Sequence, residues 1–289
     1  MPVIGVFDSG FGGLTVLRAL LPLIPNAHYI YLGDTARLPY GAKSQTTIAR
    51  FAVESARFLE AQGCDHLVIA CNTATALALP EITAAASIPV TGVVEPGAQS
   101  AYASLAQREL YTGPQQDPAD RLDLREREVL VLATSATVSS HAYYDACARL
   151  GLRAVEKATP LLVPLVEEGW VQHPVTNEVL RIYLTEAIGD GNPNAVLLGC
   201  THYPLIREAI EATLRSLGLN IPIIDSAQST ALTVAHAFNA PLGLGKFTPP
   251  TDPATFLCYA TDSTEKFRRL GSTFLGQQIH SVQLLDLGG

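Results

Sequence analysis

The sequence predicts an α/β fold made of two similar parallel-sheet lobes, and three observations carry that prediction. The run His66-Leu67-Val68-Ile69-Ala70 ends abruptly in Cys71-Asn72-Thr73-Ala74, and a stretch rich in Ala and Leu follows. This is the pattern of a buried parallel strand delivering side chains to its carboxyl end, where α/β proteins collect ligands. The arrangement recurs as Ala195-Val196-Leu197-Leu198-Gly199-Cys200-Thr201-His202-Tyr203, so two strands present one cysteine each. Strand and helix patterns alternate along the rest of the chain, as parallel sheets require. The halves also repeat: 63 positions separate Asp8 from Cys71, and 66 separate Thr134 from Cys200. Two lobes related by a pseudo-twofold would place the two cysteines face to face, with the active site in the cleft between them.

The first strand, Val3–Phe7, runs into Asp8-Ser9-Gly10-Phe11-Gly12-Gly13, whose glycines permit a tight turn into a helix over Leu14–Ile24. This turn lacks the full glycine spacing of a phosphate-binding loop, so its glycines read as turn residues. Asp8 stands out there as an acid at a strand's carboxyl end. His28–Leu32 is a second strand, followed by the loop Arg37-Leu38-Pro39-Tyr40-Gly41. Ser44 is placed to cap a helix that ends at Gly63, with Ile48, Phe51, Ala52, Ser55, Phe58 and Leu59 on one face. After the Cys71 strand come a strand at Val90–Val94 and a helix at Ala98–Ala106. Residues 111–128, rich in Pro, Gln, Asp and Arg, read as an exposed insertion.

The second half opens with a strand at Val129–Ala133 that ends in Thr134-Ser135-Ala136-Thr137. A helix at His141–Leu150, a strand at Arg153–Glu156, apolar Pro160–Glu168 and a helix at Glu178–Ile188 lead to the Cys200 strand. A helix at Leu205–Leu217, a strand at Ile221–Asp225 and a helix capped by Ser226 follow. Beyond the Gly/Pro-rich stretch Asn239–Pro253, strands at Thr255–Ala260 and Val282–Leu287 flank a helix at Ser263–Leu270.

Composition excludes several classes. Hydrophobic residues make up 48% and charged residues 16% of the 289, which is the balance of a globular protein. A net charge of −8 argues against nucleic acid as a partner. No apolar run approaches the roughly 20 residues that span a membrane. The N-terminus enters a strand directly, without a basic leader, and the five cysteines have no framework spacing. A reduced, cytoplasmic chain is the expectation.

Cys64, Cys147 and Cys258 lie in apolar segments without convergent polar neighbours and read as packing. Cys71 and Cys200 each sit at a strand end before a helix, where the partial positive charge of the helix N-terminus is expected to lower a thiol pKa. His202 is a candidate proton partner, and Glu167 a candidate site residue that sequence alone does not separate from Glu168. Tyr40, Asn72, Thr73, Thr134 and Thr137 are neutral hydrogen-bonding groups suited to a small polar ligand with carboxylates. No metal is expected, because paired cysteine spacing is absent. Pyridoxal phosphate would need a lysine, and Lys43, Lys157, Lys246 and Lys266 all lie away from these motifs. Two opposed thiols can invert a carbon, one removing a proton as general base and the other returning one as general acid. A cysteine hydrolase using one thiol with His202, or a binding module without turnover, stays open on the residues alone.

Asp8-Ser9-Gly10, Pro39-Tyr40-Gly41, Ala70-Cys71-Asn72-Thr73-Ala74 and Gly199-Cys200-Thr201-His202-Tyr203-Pro204 closely resemble the motifs of bacterial glutamate racemases, within the aspartate/glutamate racemase superfamily. The resemblance covers nearly the whole chain. It implies cofactor-independent interconversion of L- and D-glutamate, with D-glutamate destined for peptidoglycan; racemisation of aspartate is the nearest alternative. It implies that residues 1–98 and 209–289 form the first lobe and 99–208 the second. Cys71 and Cys200 resemble the acid/base pair, and Asp8, Glu167 and His202 the groups that assist them. Asp8, Ser9, Pro39, Tyr40, Gly41, Asn72, Thr73, Thr134, Thr137, Thr201 and His202 resemble the substrate-binding set. Thr159-Pro160 stands where the family commonly has Cys-Pro, a change expected to matter only to packing. Glutamate is the expected partner, with no nucleic acid or membrane; a homodimer stays open.

Overall fold

The computed structural model describes residues 1–111, 127–189, 191–238 and 255–287. The chain runs β1 (Val3–Asp8), α1 (Leu14–Leu20), β2 (His28–Gly33), α2 (Gln45–Ala61), β3 (His66–Ile69), α3 (Asn72–Ala85), β4 (Val90–Gly92) and α4 (Val94–Tyr111). It continues with β5 (Glu128–Ala133), α5 (Ser135–Ser140), α6 (Ala142–Arg149), β6 (Arg153–Ala158), α7 (Leu162–Glu167), α8 (Pro174–Ile188), β7 (Ala195–Gly199), α9 (Arg207–Ser216) and β8 (Ile223–Asp225). It closes with α10 (Ser226–Ala237), β9 (Thr255–Ala260), α11 (Thr264–Leu275) and β10 (Gln283–Leu284). Two compact units result: Met1–Val93 with Ala227–Gly289, and Val94–Ser226.

The first unit holds a six-stranded sheet ordered β10-β9-β2-β1-β3-β4, and the second a four-stranded sheet ordered β6-β5-β7-β8. All pairings are parallel. Four consecutive strands of the first sheet, β2-β1-β3-β4, follow the same order as the whole second sheet, so the repeat read from the spacing is a repeat of topology. In this order the connection reverses direction between β1 and β3, and again between β5 and β7. Ligands in open α/β sheets bind at such a reversal, outside the carboxyl ends of the strands. Cys71 follows β3 and Cys200 follows β7.

β1, β2, β3, β5 and β7 are almost wholly buried, as expected of strands covered by helices on both faces, whereas β4, β6, β9 and β10 are more open. Phe7, Leu32, Leu59, Leu67 and Ile69 anchor one core, and Val129, Val131, Tyr143 and Leu197 the other. Each such side chain contributes about 1.5–3 kcal/mol by leaving water. Ser44 caps α2 as expected, its hydroxyl accepting from Thr47 N–H at 3.3 Å. Among the described residues, no helix is long and apolar enough to cross a membrane.

Several boundaries differ from the sequence expectation. α1 stops at Leu20 because Pro22 lacks the N–H that would continue it. α4 starts at Val94 instead of Ala98, since Pro96 costs nothing in a first turn, where N–H groups have no intrahelical acceptor. One helix was expected to follow Thr137; His141 instead adopts a left-handed φ of 56° and divides α5 from α6. The lobe boundaries shift too. The family resemblance places residues 209–226 with the first lobe, but β8 pairs with β7 and α9 packs on α8. The junctions fall at Val93/Val94 and Ser226/Ala227. The insertion expected at 111–128 lies outside the described residues except at its ends, where Tyr111 closes α4 and Glu128 opens β5; Asn239–Pro253 lies outside them altogether.

Gly33 is demanded by close approach. A Cβ on Gly33 would stand 2.2 Å from the Gly10 carbonyl oxygen and 2.7 Å from the Phe267 ring. Gly33→Ala is expected to destabilise the protein by at least ~3 kcal/mol, because backbone cannot give way as a flexible side chain can. Gly63→Ala is the control. There φ is +83° but nothing lies within 4 Å, and the cost is about 1 kcal/mol of backbone strain. Thermal melts of both variants check this; equal losses would show that the approach of Gly10 to β2 is not decisive.

Candidate active site

In the first unit, Phe7 of β1 pairs with Ile69 of β3, so two steps past the paired ends Ser9 comes level with Cys71. Asp8 is buried, and its Oδ2 accepts the Gly10 N–H at 2.9 Å, closing the Asp8-Ser9-Gly10 turn. The Tyr31 hydroxyl braces the same turn by donating to the Gly10 carbonyl at 3.0 Å. Gly13 lets the start of α1 approach: a Cβ there would meet Asp8 Cβ at 2.6 Å and Ala70 Cβ at 2.8 Å.

Cys71 is the N-cap of α3. Its sulfur accepts the Ala74 N–H at 3.4 Å, and its thiol donates to Ser9 Oγ at 3.5 Å. Burial and the neighbouring Asp8 carboxylate push the thiol up to about 12, against the lowering effect of the bonds from Ser9 and Ala74. The expectation that the helix N-terminus lowers this pKa is therefore corrected. Desolvation and a like charge outweigh the weak hydrogen bonds at the sulfur. Asn72 and Thr73, also buried, form the first turn of α3.

Tyr40 and Gly41 lie in a short 3-10 turn, Tyr40–Ala42, after exposed Pro39. The Tyr40 ring is buried between Phe7 and Phe51. Its hydroxyl donates to Asp34 Oδ2 at 2.6 Å, while Thr261 donates to Asp34 Oδ1 at 2.9 Å. The Tyr40 hydroxyl is thus engaged inside the unit, while Pro39, Gly41 and Ala42 around it are exposed. Asp34 is fully buried, and that burial raises its pKa despite the bonds from Tyr40 and Thr261 and the charge of Arg37. Sequence reasoning passed over Asp34, although its place just past β2, like that of Asp8 at the end of β1, was a usable signal.

In the second unit, Ala133 of β5 pairs with both Gly199 and Ala158, which brings Thr134, Cys200 and Thr159 level one step further on. Thr134 caps α5 through its hydroxyl, 3.4 Å from the Thr137 N–H, and the two threonine hydroxyls are 3.0 Å apart. Cys200 is 5% exposed. His202 Nδ1 lies 3.9 Å from the Cys200 sulfur and 3.3 Å from Thr201 Oγ1, and its Nε2 lies 3.2 Å from Glu167 Oε1 at the end of α7. Burial opposes charge on His202, but the hydrogen bonds to Cys200 and Glu167 and their negative charges push it up to about 10. Of the two glutamates the sequence left open, Glu167 is the one that reaches the histidine.

The structure brings Asp8, Ser9, Cys71, Asn72 and Thr73 together in one unit, and Thr134, Glu167, Cys200, Thr201 and His202 together in the other. Cys64, Cys147 and Cys258 are buried, and burial pushes each thiol up to about 12. Among the described residues, no group of three or more His, Cys, Asp or Glu side chains could hold a metal ion.

A family model for Asp/Glu/Hydantoin racemases matches residues 4–234. The glutamate racemase of Koribacter versatilis is 49% identical over 100% of this chain and 98% of its own. The crystal structure of glutamate racemase from Francisella tularensis in complex with D-glutamate superposes with a TM-score of 0.80 at 33% identity, covering 99% of this chain and 98% of that one. The Thermus thermophilus glutamate racemase in complex with β-chloro-D-alanine gives 0.78 at 39% identity, over 99% and 97%. With a family model spanning most of its length and relatives that match it end to end, the chain belongs to the Asp/Glu/Hydantoin racemase family.

Proposed function

We propose that the protein is a cytoplasmic, cofactor-independent glutamate racemase that supplies D-glutamate for peptidoglycan, with Cys71 and Cys200 as its two acid/base residues. The observation that carries this reading is the repeat itself: each sheet, at the same reversal of strand order, ends in one buried cysteine beside a carboxylate or a carboxylate-bound histidine. A hydrolase needs one such thiol and a binding module needs none. Relatives matched over almost their full length are named glutamate racemases, which favours glutamate over aspartate.

In this mechanism one cysteine begins each half-reaction as thiolate and the other as thiol. The thiolate takes the Cα proton from one face, and the thiol returns a proton to the other. An amino-acid Cα is a weak acid, so the site must hold carboxylates and ammonium in fixed positions and stabilise developing charge. The first turn of α3, with Asn72 and Thr73, offers helix N–H groups and side-chain donors to a carboxylate. Ser9, Gly41, Thr134, Thr137 and Thr201 supply further neutral contacts. Asp8 is the complement for the ammonium group, and the arriving positive charge offsets the carboxylate that adds to burial in pushing the Cys71 thiol up. On the other side, His202 and Glu167 assist Cys200.

Circular dichroism of purified protein with L- or D-glutamate, and with aspartate for comparison, tests the reading. Racemisation of glutamate is expected without added cofactor, surviving both dialysis against a chelator and treatment with hydroxylamine. Loss restored by a metal or by pyridoxal phosphate would overturn cofactor independence. Faster turnover of aspartate would reassign the substrate, and a trapped acyl-enzyme would favour the hydrolase.

A further inference from the structure

The turn that leaves β9, Thr261-Asp262-Ser263, is laced to the turn that leaves β2, Asp34-Thr35-Ala36. The Thr261 hydroxyl donates to Asp34 Oδ1 at 2.9 Å and accepts the Ala36 N–H at 2.9 Å, so its proton and a lone pair are both used. Thr35 Oγ1 donates to the Asp262 carbonyl at 2.7 Å and accepts the Asp262 N–H at 2.9 Å. The Thr261 N–H donates to the Gly33 carbonyl at 3.2 Å. Ser263 closes the turn with a left-handed φ of 50°, uncommon for a residue other than glycine, and its N–H is held by Asp262 Oδ1 at 2.7 Å. Asp34 in turn reaches two of the motifs read as substrate-binding. Its N–H donates to the Asp8 carbonyl at 3.0 Å, and its Oδ2 accepts the Tyr40 hydroxyl at 2.6 Å.

We propose that Thr261 is a positioning residue for glutamate binding: it fixes the Asp34 carboxylate, which through Tyr40 holds the backbone of Gly41 in place for the substrate. The proposal rests on the racemase reading above, in which Gly41 supplies a neutral contact. A carboxylate held at one oxygen can swing about its Cβ–Cγ bond. Tyr40 and the more distant Arg37, whose Nη1 is 3.6 Å away, both face Oδ2. Thr261 pins the other oxygen, and its hydroxyl cannot turn away without leaving the Ala36 N–H stranded, which costs more than a made hydrogen bond contributes. Asp34 is fully buried, so a partner lost there is not replaced by bulk water. Tyr40 and Gly41 are neighbours in the chain. A displaced phenol therefore carries the loop with it, and a shift of about 1 Å is enough to spoil a binding contact. The turn around Cys71 has supports of its own in Ser9, Ala74 and, through Gly10, Tyr31. Loss of the Thr261 hydroxyl thus falls on binding and not on proton transfer.

The test combines racemisation kinetics of the full chain with amide hydrogen exchange read by mass spectrometry. In Thr261→Val the KM for both L- and D-glutamate is expected to rise about tenfold, the scale of one buried hydrogen bond to a charged group, with kcat changed by no more than about twofold. Exchange across residues 34–42 is expected to quicken about tenfold, while exchange in the first turn of α3 stays as it was. Thr261→Ser should restore both readouts. Thr261→Ala removes the hydroxyl without setting a methyl group against Asp34, and it decides the matter if Thr261→Val does not fold. The control is Thr255→Val, which breaks the 2.6 Å contact from the start of β9 to His28 Nδ1 and should leave KM unmoved. An equal rise of KM in that control would mean that β9 as a whole has loosened, and would overturn the proposal. So would an unmoved KM, or a loss confined to kcat, in Thr261→Val. A wild-type protein without racemase activity would instead defeat the racemase reading, and exchange across residues 34–42 would still report whether Thr261 holds the loop.

Discussion

Replacing either Cys71 or Cys200 by alanine is expected to abolish racemisation in both directions, by at least ~10³-fold, the scale lost with a general acid or base. In the proposed mechanism each direction uses both thiols, one to take a proton and one to return it, so neither variant keeps a one-way enzyme. The assay is circular dichroism from each enantiomer separately, with a thermal melt to show that each variant is folded. Cys64→Ala, Cys147→Ala and Cys258→Ala are the controls. Those side chains are 4%, 0% and 1% exposed and lie in the packed cores, so the variants lose some stability but retain most activity. Full activity in either Cys71→Ala or Cys200→Ala would remove that cysteine from the mechanism. The two sites need not respond alike to milder changes, because their surroundings differ. Cys71 has the Asp8 carboxylate and a helix N–H beside it, whereas Cys200 has a histidine held toward charge by Glu167.

Much of this architecture was legible because parallel strands buried on both faces write themselves as unbroken apolar runs. His66–Ile69 and Ala195–Gly199 are of that kind, and the polar residue that ends each run marks the carboxyl end of the sheet. The two cysteines, Asp8 and His202 were visible for that reason. The second lobe boundary was not, because β8 is only three residues long and nothing local says which sheet a short strand will join. His141 was missed as a helix divider because a positive φ on a non-glycine residue leaves little trace in composition. The bond from Thr261 to Asp34 joins residues 227 apart, and no spacing rule spans such a distance. The direction of the Cys71 pKa was misread for a different reason. The helix N-terminus is a local feature, but the extent of burial and the approach of Asp8 are tertiary facts, and here they outweigh it.

Where the hydrogens go separates the two-thiol mechanism from its rivals more sharply than any loss of rate. If Cys71 and Cys200 stand on opposite faces of Cα, the proton taken by one is not the proton delivered by the other. The incoming hydrogen comes from a thiol that has exchanged with solvent. In deuterated water, early in the reaction, the product enantiomer is therefore expected to carry deuterium at Cα while recovered substrate carries almost none. A single base behaves differently, because it can return its exchanged deuteron to the face it came from and label the substrate pool as well. We further propose that Cys71 deprotonates D-glutamate and Cys200 L-glutamate, as the family resemblance suggests. Each enantiomer would be run separately to a few per cent conversion, as an order of magnitude that keeps back-reaction negligible, and both pools analysed by mass spectrometry. Equal deuterium in recovered substrate and product from both starting enantiomers would sink the two-thiol mechanism even with racemase activity in hand, since it would mean that one group serves both faces.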